Sequence, residues 1–164
     1  EAGAALFVSL HADAHRDSSL RGASVYTLSE EGGRRSKAEV RAQGDYQVWD
    51  ETINDKEPVL STILLDKAQD YTQTNSARFA DLVIAHLKGV TPLINNTHRT
   101  GDLYVLLSPD VPAILLELGF ISNKADEANL KSPAWREKAM TALAGAIDSY
   151  FEAHGGARHA SNEP

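Results

Sequence analysis

The sequence predicts an α/β domain, and three observations carry that reading. Short apolar runs stand at 4–10 and within 111–123, the pattern of strands buried in a sheet, and 23–28 adds a strand rich in β-branched and aromatic residues. Leu60 to Lys88 places apolar residues near a 3.6-residue spacing, which marks a long amphipathic helix. A second stripe of that kind closes the chain.

The 164 residues suffice for one domain with a proper core. A net charge of −7 argues against a nucleic-acid surface, which needs a basic patch. With no cysteine, disulfides and thiolate metal sites are excluded, whereas the choice of compartment stays open. No apolar run reaches transmembrane length, and no signal peptide is recognisable.

Ala4-Ala5-Leu6-Phe7-Val8-Ser9-Leu10 is the first buried strand and delivers His11 at its end. A strand this apolar asks for neighbours on both sides, so the chain is expected to start inside a domain. His11 and His15 would share a helical face, but Asp17-Ser18-Ser19 reads as loop. That leaves His11 as a single strand-end ligand and His15 outside the site. Ala23 to Leu28 is a further strand, with β-branched and aromatic residues. Ser29 to Pro58 is polar and interrupted by Gly32-Gly33 and Gly44, with a short helix expected over 35–43. It reads as an excursion or lid.

In the long helix, Leu60, Ile63, Leu64, Ala68, Tyr71, Phe79, Leu82, Val83 and His86 form the expected stripe, broken by a polar patch at 72–76. Gly89 caps it and Pro92 prevents its resumption. A loop is expected over 90–100 and a strand over 103–107. Asn123 is placed to cap a helix with Asp126 and Glu127 in its first turn, and Ser132-Pro133 opens the last helix. Trp135, Met140, Leu143, Ile147, Tyr150 and Phe151 are its expected buried stripe, and Gly155-Gly156 its end.

The chemistry gathers in Val111 to Asn123. Ile114-Leu115-Leu116 leads straight into Glu117, so the carboxylate loses water on folding and must find a partner or a raised pKa. Ligands of open α/β sheets collect at the carboxyl ends of strands, where Glu117 is expected.

Three segments, FVSLHADAH at 7–15, RGASVYTLS at 21–29 and VPAILLELGFISN at 111–123, together resemble the zinc-dependent N-acetylmuramoyl-L-alanine amidases, most closely the division-type peptidoglycan enzymes of Gram-negative bacteria. The resemblance runs from residue 4 to about Phe151. It implies a mostly parallel central sheet with helices on both faces, and Zn2+ held by two histidines and a glutamate. His11 matches the second histidine and Glu117 the catalytic general acid/base. The first histidine and the glutamate ligand precede this segment in the family, so the N-terminal strands and helix of the domain are expected to be missing. Ala153-His154-Gly155-Gly156 imitates the glycine-rich signature but follows a helix instead of a strand.

The resemblance also implies a regulatory, autoinhibitory insert over 30–57 within a catalytic domain spanning 1–153, followed by a disordered tail over 154–164. Some relatives place an acidic side chain on the metal from that insert; Asp45 is the positional match, with Glu39 and Glu51 as rivals. Peptidoglycan is the implied substrate, an activator protein displacing the insert the implied partner, and the periplasm the implied location. Arg99 and Asn95 are candidates for contact with the stem peptide, whose carboxylates pair well with Arg. The alternatives are a non-catalytic wall-binding or regulatory module of the same fold, and another zinc hydrolase such as a carboxypeptidase. A serine hydrolase is disfavoured because no G-x-S-x-G elbow exists.

Overall fold

The computed structural model describes residues 4–44, 46–48, 51–53 and 58–159. In chain order the elements are β1 (Phe7–Asp13), β2 (Ala23–Leu28), α1 (Glu30–Gln43), β3 (Tyr46–Val48), β4 (Glu51–Ile53), α2 (Pro58–Leu87), β5 (Leu93–Gly101), a 3-10 turn (Tyr104–Leu106), β6 (Ala113–Phe120), α3 (Lys124–Lys131) and α4 (Pro133–His159). A four-stranded sheet of order β1-β6-β2-β5 is flanked by the helices, and β3 and β4 form a separate antiparallel pair. Phe7 donates to Pro112 and Ile121 to Asp13 at the two ends of β1 and β6, so these strands run the same way. Ala23 donates to Pro92 and Ser29 to Gly101, giving β2 and β5 a common direction as well.

The chain divides into two compact units. One comprises Glu1–Ser9, Tyr26–Ala77 and Arg99–Leu115; the other comprises Leu10–Val25, Arg78–His98 and Leu116–Pro164. In the first, Val40, Val48, Leu65 and Ala68 form one apolar cluster, and Leu106, Ala113 and Leu115 another. In the second, Phe79 and Tyr150 meet edge to face at 5.3 Å, with Val83, Leu87, Leu143 and Ala146 also buried.

Several expectations need correction. The strand predicted at 4–10 is β1, which lies at the end of the sheet order and leaves Phe7 and Leu10 exposed. Its apolar sequence suits burial, but β6 is its one neighbour among the described residues, and such an edge is a template for further pairing. The loop expected over 90–100 is largely β5, and the strand expected over 103–107 is a single 3-10 turn. Gly32-Gly33 does not interrupt α1 but lies inside it, because Ser29 caps the helix by accepting from Gly32 N–H and the two glycines allow close packing. A Cβ at Gly32 would stand 2.4 Å from Leu28 Cδ1, and one at Gly33 2.8 Å from Gln73 Nε2. α4 continues through Gly155-Gly156 to His159.

The buried face of α2 also differs from the expected stripe. Leu65, Ala68, Thr72, Ser76, Phe79, Val83 and Leu87 point inward at three- and four-residue spacing, while Leu60, Ile63 and Tyr71 are exposed. Within the polar patch at 72–76, Thr72, Asn75 and Ser76 are buried and Thr74 is exposed. Ser76 Oγ accepts from Ala113 N–H at 2.9 Å, fixing the first residue of β6. Ser76→Ala is expected to cost about 1–3 kcal/mol by leaving that buried N–H without an acceptor. Urea unfolding of the variant measures the loss.

Candidate active site

Glu117 and His11 both belong to the second unit, on the adjacent strands β6 and β1. Neither stands at its strand's last residue, since β1 runs on to Asp13 and β6 to Phe120. The three residues before Glu117 are buried, and so is Glu117 itself, with 9% of its surface accessible. Its Oε2 is wholly shielded from solvent and accepts no hydrogen bond among the described residues. An uncompensated buried oxygen of this kind is costly in a structural residue.

Three influences act on the Glu117 carboxyl. Loss of water raises its pKa first, repulsion by Asp13 raises it further, and attraction to His11 opposes both. His11 and Asp13 are two residues apart on β1, and a strand turns such residues to one face. Asp13 thus joins the candidate site, where the sequence reading did not place it. The alternation His11-Ala12-Asp13 contained the signal, hidden by treating His11 as the strand's end. Both residues are solvent-exposed, which leaves the site open on the β1 side.

His15, His86, His98 and His154 have partners elsewhere. His15 Nδ1 accepts from Asp17 N–H at 3.1 Å. His98 lies 3.2 Å from Asp81, and His154 stacks on Tyr150 at 4.1 Å and bonds the Tyr150 carbonyl. His86, in the last turn of α2, sits against Gly145 and 3.3 Å from Ser149 Oγ on α4. Among the described residues no three His, Cys, Asp or Glu side chains converge as a metal site. Of the residues gathered here, His11 is the donor suited to zinc, and a catalytic zinc normally takes three protein ligands.

Arg99 belongs to the first unit, where its Nη1 donates to Tyr26 Oη at 3.2 Å and its guanidinium lies 5.9 Å from that ring's centre. Asn95 is exposed on β5. Asp45 and the side chain of Glu51 lie outside the described residues; Glu39 is half-buried on α1.

The family described as N-acetylmuramoyl-L-alanine amidase matches residues 1–149. The chain is 33% identical over 152 residues to N-acetylmuramoyl-L-alanine amidase AmiA of Salmonella typhimurium, covering 91% of this chain and 53% of that protein. It is 32% identical over 156 residues to AmiC of Neisseria meningitidis, covering 89% of this chain and 36% of the relative. This chain therefore spans about half, or less, of the length of these relatives. Among solved structures, the CwlD amidase of Clostridioides difficile, in complex with the GerS lipoprotein, superposes with a TM-score of 0.62 at 20% identity, over 93% of this chain and 57% of that one. Ami1 of Mycobacterium smegmatis gives 0.60 at 19% identity, over 91% and 55%. At those identities the two structures speak for the fold.

Proposed function

This chain belongs to the N-acetylmuramoyl-L-alanine amidase family, and from that premise we propose that it carries the acid/base half of a peptidoglycan-hydrolysing site acting in the periplasm during cell division. The bond cleaved is the amide between N-acetylmuramic acid and the L-alanine of the stem peptide. The single observation supporting this assignment of roles is the buried, unpartnered Oε2 of Glu117 beside His11 and Asp13. A carboxyl whose pKa is raised by burial can take a proton from the attacking water and return it to the departing amine. Asp13 keeps it basic enough for the first transfer, and His11 is the imidazole that would hold zinc. Zinc, when bound, supplies an activated water, whose pKa falls from 15.7 to about 7, and polarises the scissile carbonyl. No helix among the described residues is long and apolar enough to cross a membrane.

The test is the product spectrum. Purified sacculi treated with the full-length protein should release intact stem peptides and leave the glycan uncut, whereas a carboxypeptidase shortens the stem. The absence of a convergent three-ligand set among the described residues favours, as a second reading, a wall-binding module without catalysis. That reading predicts sacculus binding with no released peptide.

We propose further that 30–57 restrains the site until an activator protein displaces it, with Asp45 as the inhibitory acidic group. What such an activator must overcome is readable in part. Val40 on α1 and Val48 on β3 lie in one cluster with Leu65 and Ala68, Ser36 Oγ donates to the Leu107 carbonyl at 2.9 Å, and Arg35 pairs with Asp102 at 2.6 Å. Exposing the two valines alone costs about 3–6 kcal/mol at roughly 1.5–3 kcal/mol each. An activator has to supply that as differential binding to the released state. Deleting 30–57 from the full-length protein is expected to raise basal peptide release; a deletion that lowers both release and melting temperature shows the segment to be structural only.

A further inference from the structure

Four side chains or amides that follow β6 bond, one after another, to the chain that follows His11. Ile121 N–H donates to the Asp13 carbonyl at 2.8 Å, and Ser122 Oγ accepts from His15 N–H at 3.0 Å. Asn123 Nδ2 donates to the Ser18 carbonyl at 2.8 Å while its Oδ1 caps α3. Asp126 Oδ2 accepts from Gly22 N–H at 2.7 Å. The order is kept: 121, 122, 123 and 126 meet 13, 15, 18 and 22. All of these residues belong to one unit, the one that holds His11 and Glu117.

Asp126 is the fixed point of this series. It is 2% exposed, and the oxygen that receives Gly22 N–H also receives Phe120 N–H at 3.1 Å. One carboxylate oxygen thus joins the residue before β2 to the last residue of β6, three positions beyond Glu117. Its other oxygen faces Arg21 Nε at 3.4 Å. Burying a carboxylate is unfavourable without such partners, so its position is dictated by where those donors lie. Gly119 makes room for it, since a Cβ there would stand 3.0 Å from Asp126 Oδ2. A helix-capping role does not require this arrangement, because Asn123 already caps α3.

We propose that Asp126 is a positioning residue: by holding the end of β6 against the segment 13–22, it sets the spacing between Glu117 and His11. The inference rests on the amidase reading and deepens it. Catalytic groups lose effectiveness steeply with displacement, by roughly 100-fold for about 1 Å. Asp126 touches neither the substrate nor the reacting atoms, so its loss should act on turnover and leave binding nearly intact.

The experiment compares Asp126→Ala, Asp126→Asn and Glu117→Gln in the full-length protein on soluble muropeptide, at a temperature where circular dichroism shows each to be folded. Asp126→Ala is expected to lower kcat by roughly 10–100-fold with KM changed less than about twofold. Asp126→Asn, which keeps an acceptor oxygen for Gly22 and Phe120, should recover most of that loss. Amide exchange should quicken at 13–22 and 120–123 in Asp126→Ala and stay near wild type elsewhere. Unchanged kcat in folded Asp126→Ala overturns the proposal, as does a loss that merely follows the folded fraction and vanishes on cooling. Should Asp126→Ala not fold, wild-type exchange at 13–22 in Asp126→Asn together with reduced kcat overturns it too. Full activity in Glu117→Gln would instead remove the amidase assignment of Glu117, leaving the exchange result to judge Asp126.

Discussion

Glu117→Gln is expected to reduce stem-peptide release by about 10²–10⁴-fold, the usual contribution of a general acid/base, while making the metal-free protein more stable at neutral pH. The two effects share one cause. Burial and the Asp13 charge raise the Glu117 pKa above its ordinary value of 4.5, with His11 in partial opposition. Between the unfolded value and that raised value, the folded state holds a proton that the unfolded state has released. Stability therefore falls as pH rises through the window, and the ionised residue is a full burden above it. Gln has no such transition. The melting-temperature advantage of Glu117→Gln should be near its smallest at about pH 4, grow through the window and level off above it. Thermal melts in chelator at the two ends decide this; an advantage independent of pH would show that the side chain is not titrating where its burial says it must.

Phe79→Ala should cost about 3–5 kcal/mol, the usual range for an aromatic removed from a packed interior. Phe79 is fully buried and meets Tyr150 edge to face at 5.3 Å, and Tyr150 in turn meets Phe151 at 5.3 Å and His154 at 4.1 Å. Truncation removes the contact that joins α2 to this aromatic group on α4, leaving a space the rigid helices cannot close. Each kcal/mol corresponds to about 2–4 °C in melting temperature for a protein of this size. Phe79→Leu retains most of the volume and should lose less than half as much. Guanidinium unfolding of both variants checks the ordering, and equal losses would mean that shape, not volume, matters here.

The long helix α2, the cap at Asn123 and the strand Ala113–Phe120 were legible because their causes are local. Helical spacing, a side chain within reach of its own backbone, and an apolar run depend on residues close together in the chain. Glu117 stood out for the same reason: a carboxylate inside Ile114-Leu115-Leu116-Glu117-Leu118 is anomalous in sequence alone. His11 stood out through the motif around it, and Asp13 was passed over although strand alternation sets it on the same face.

Other features were decided by tertiary structure. A strand exists only where a partner offers hydrogen bonds, so the polar stretch Leu93–Gly101 became β5 beside β2, whereas the apolar Leu103–Leu107 did not pair and formed a 3-10 turn instead. Phe7 and Leu10 read as core residues yet stand exposed, because a residue's burial depends on what covers it. Ser76 read as part of a polar break in the helical stripe yet holds Ala113 N–H, and Asp126 read as a first-turn helix residue yet joins Gly22 to Phe120. The sequence alone marked Glu117 as a carboxylate set in an apolar run and placed the long helix α2. The long-range hydrogen bonds, spanning 37 residues for Ser76 and 104 for Asp126 with Gly22, decided what those polar groups are for, since a buried donor or acceptor takes its role from the partner that folding brings to it.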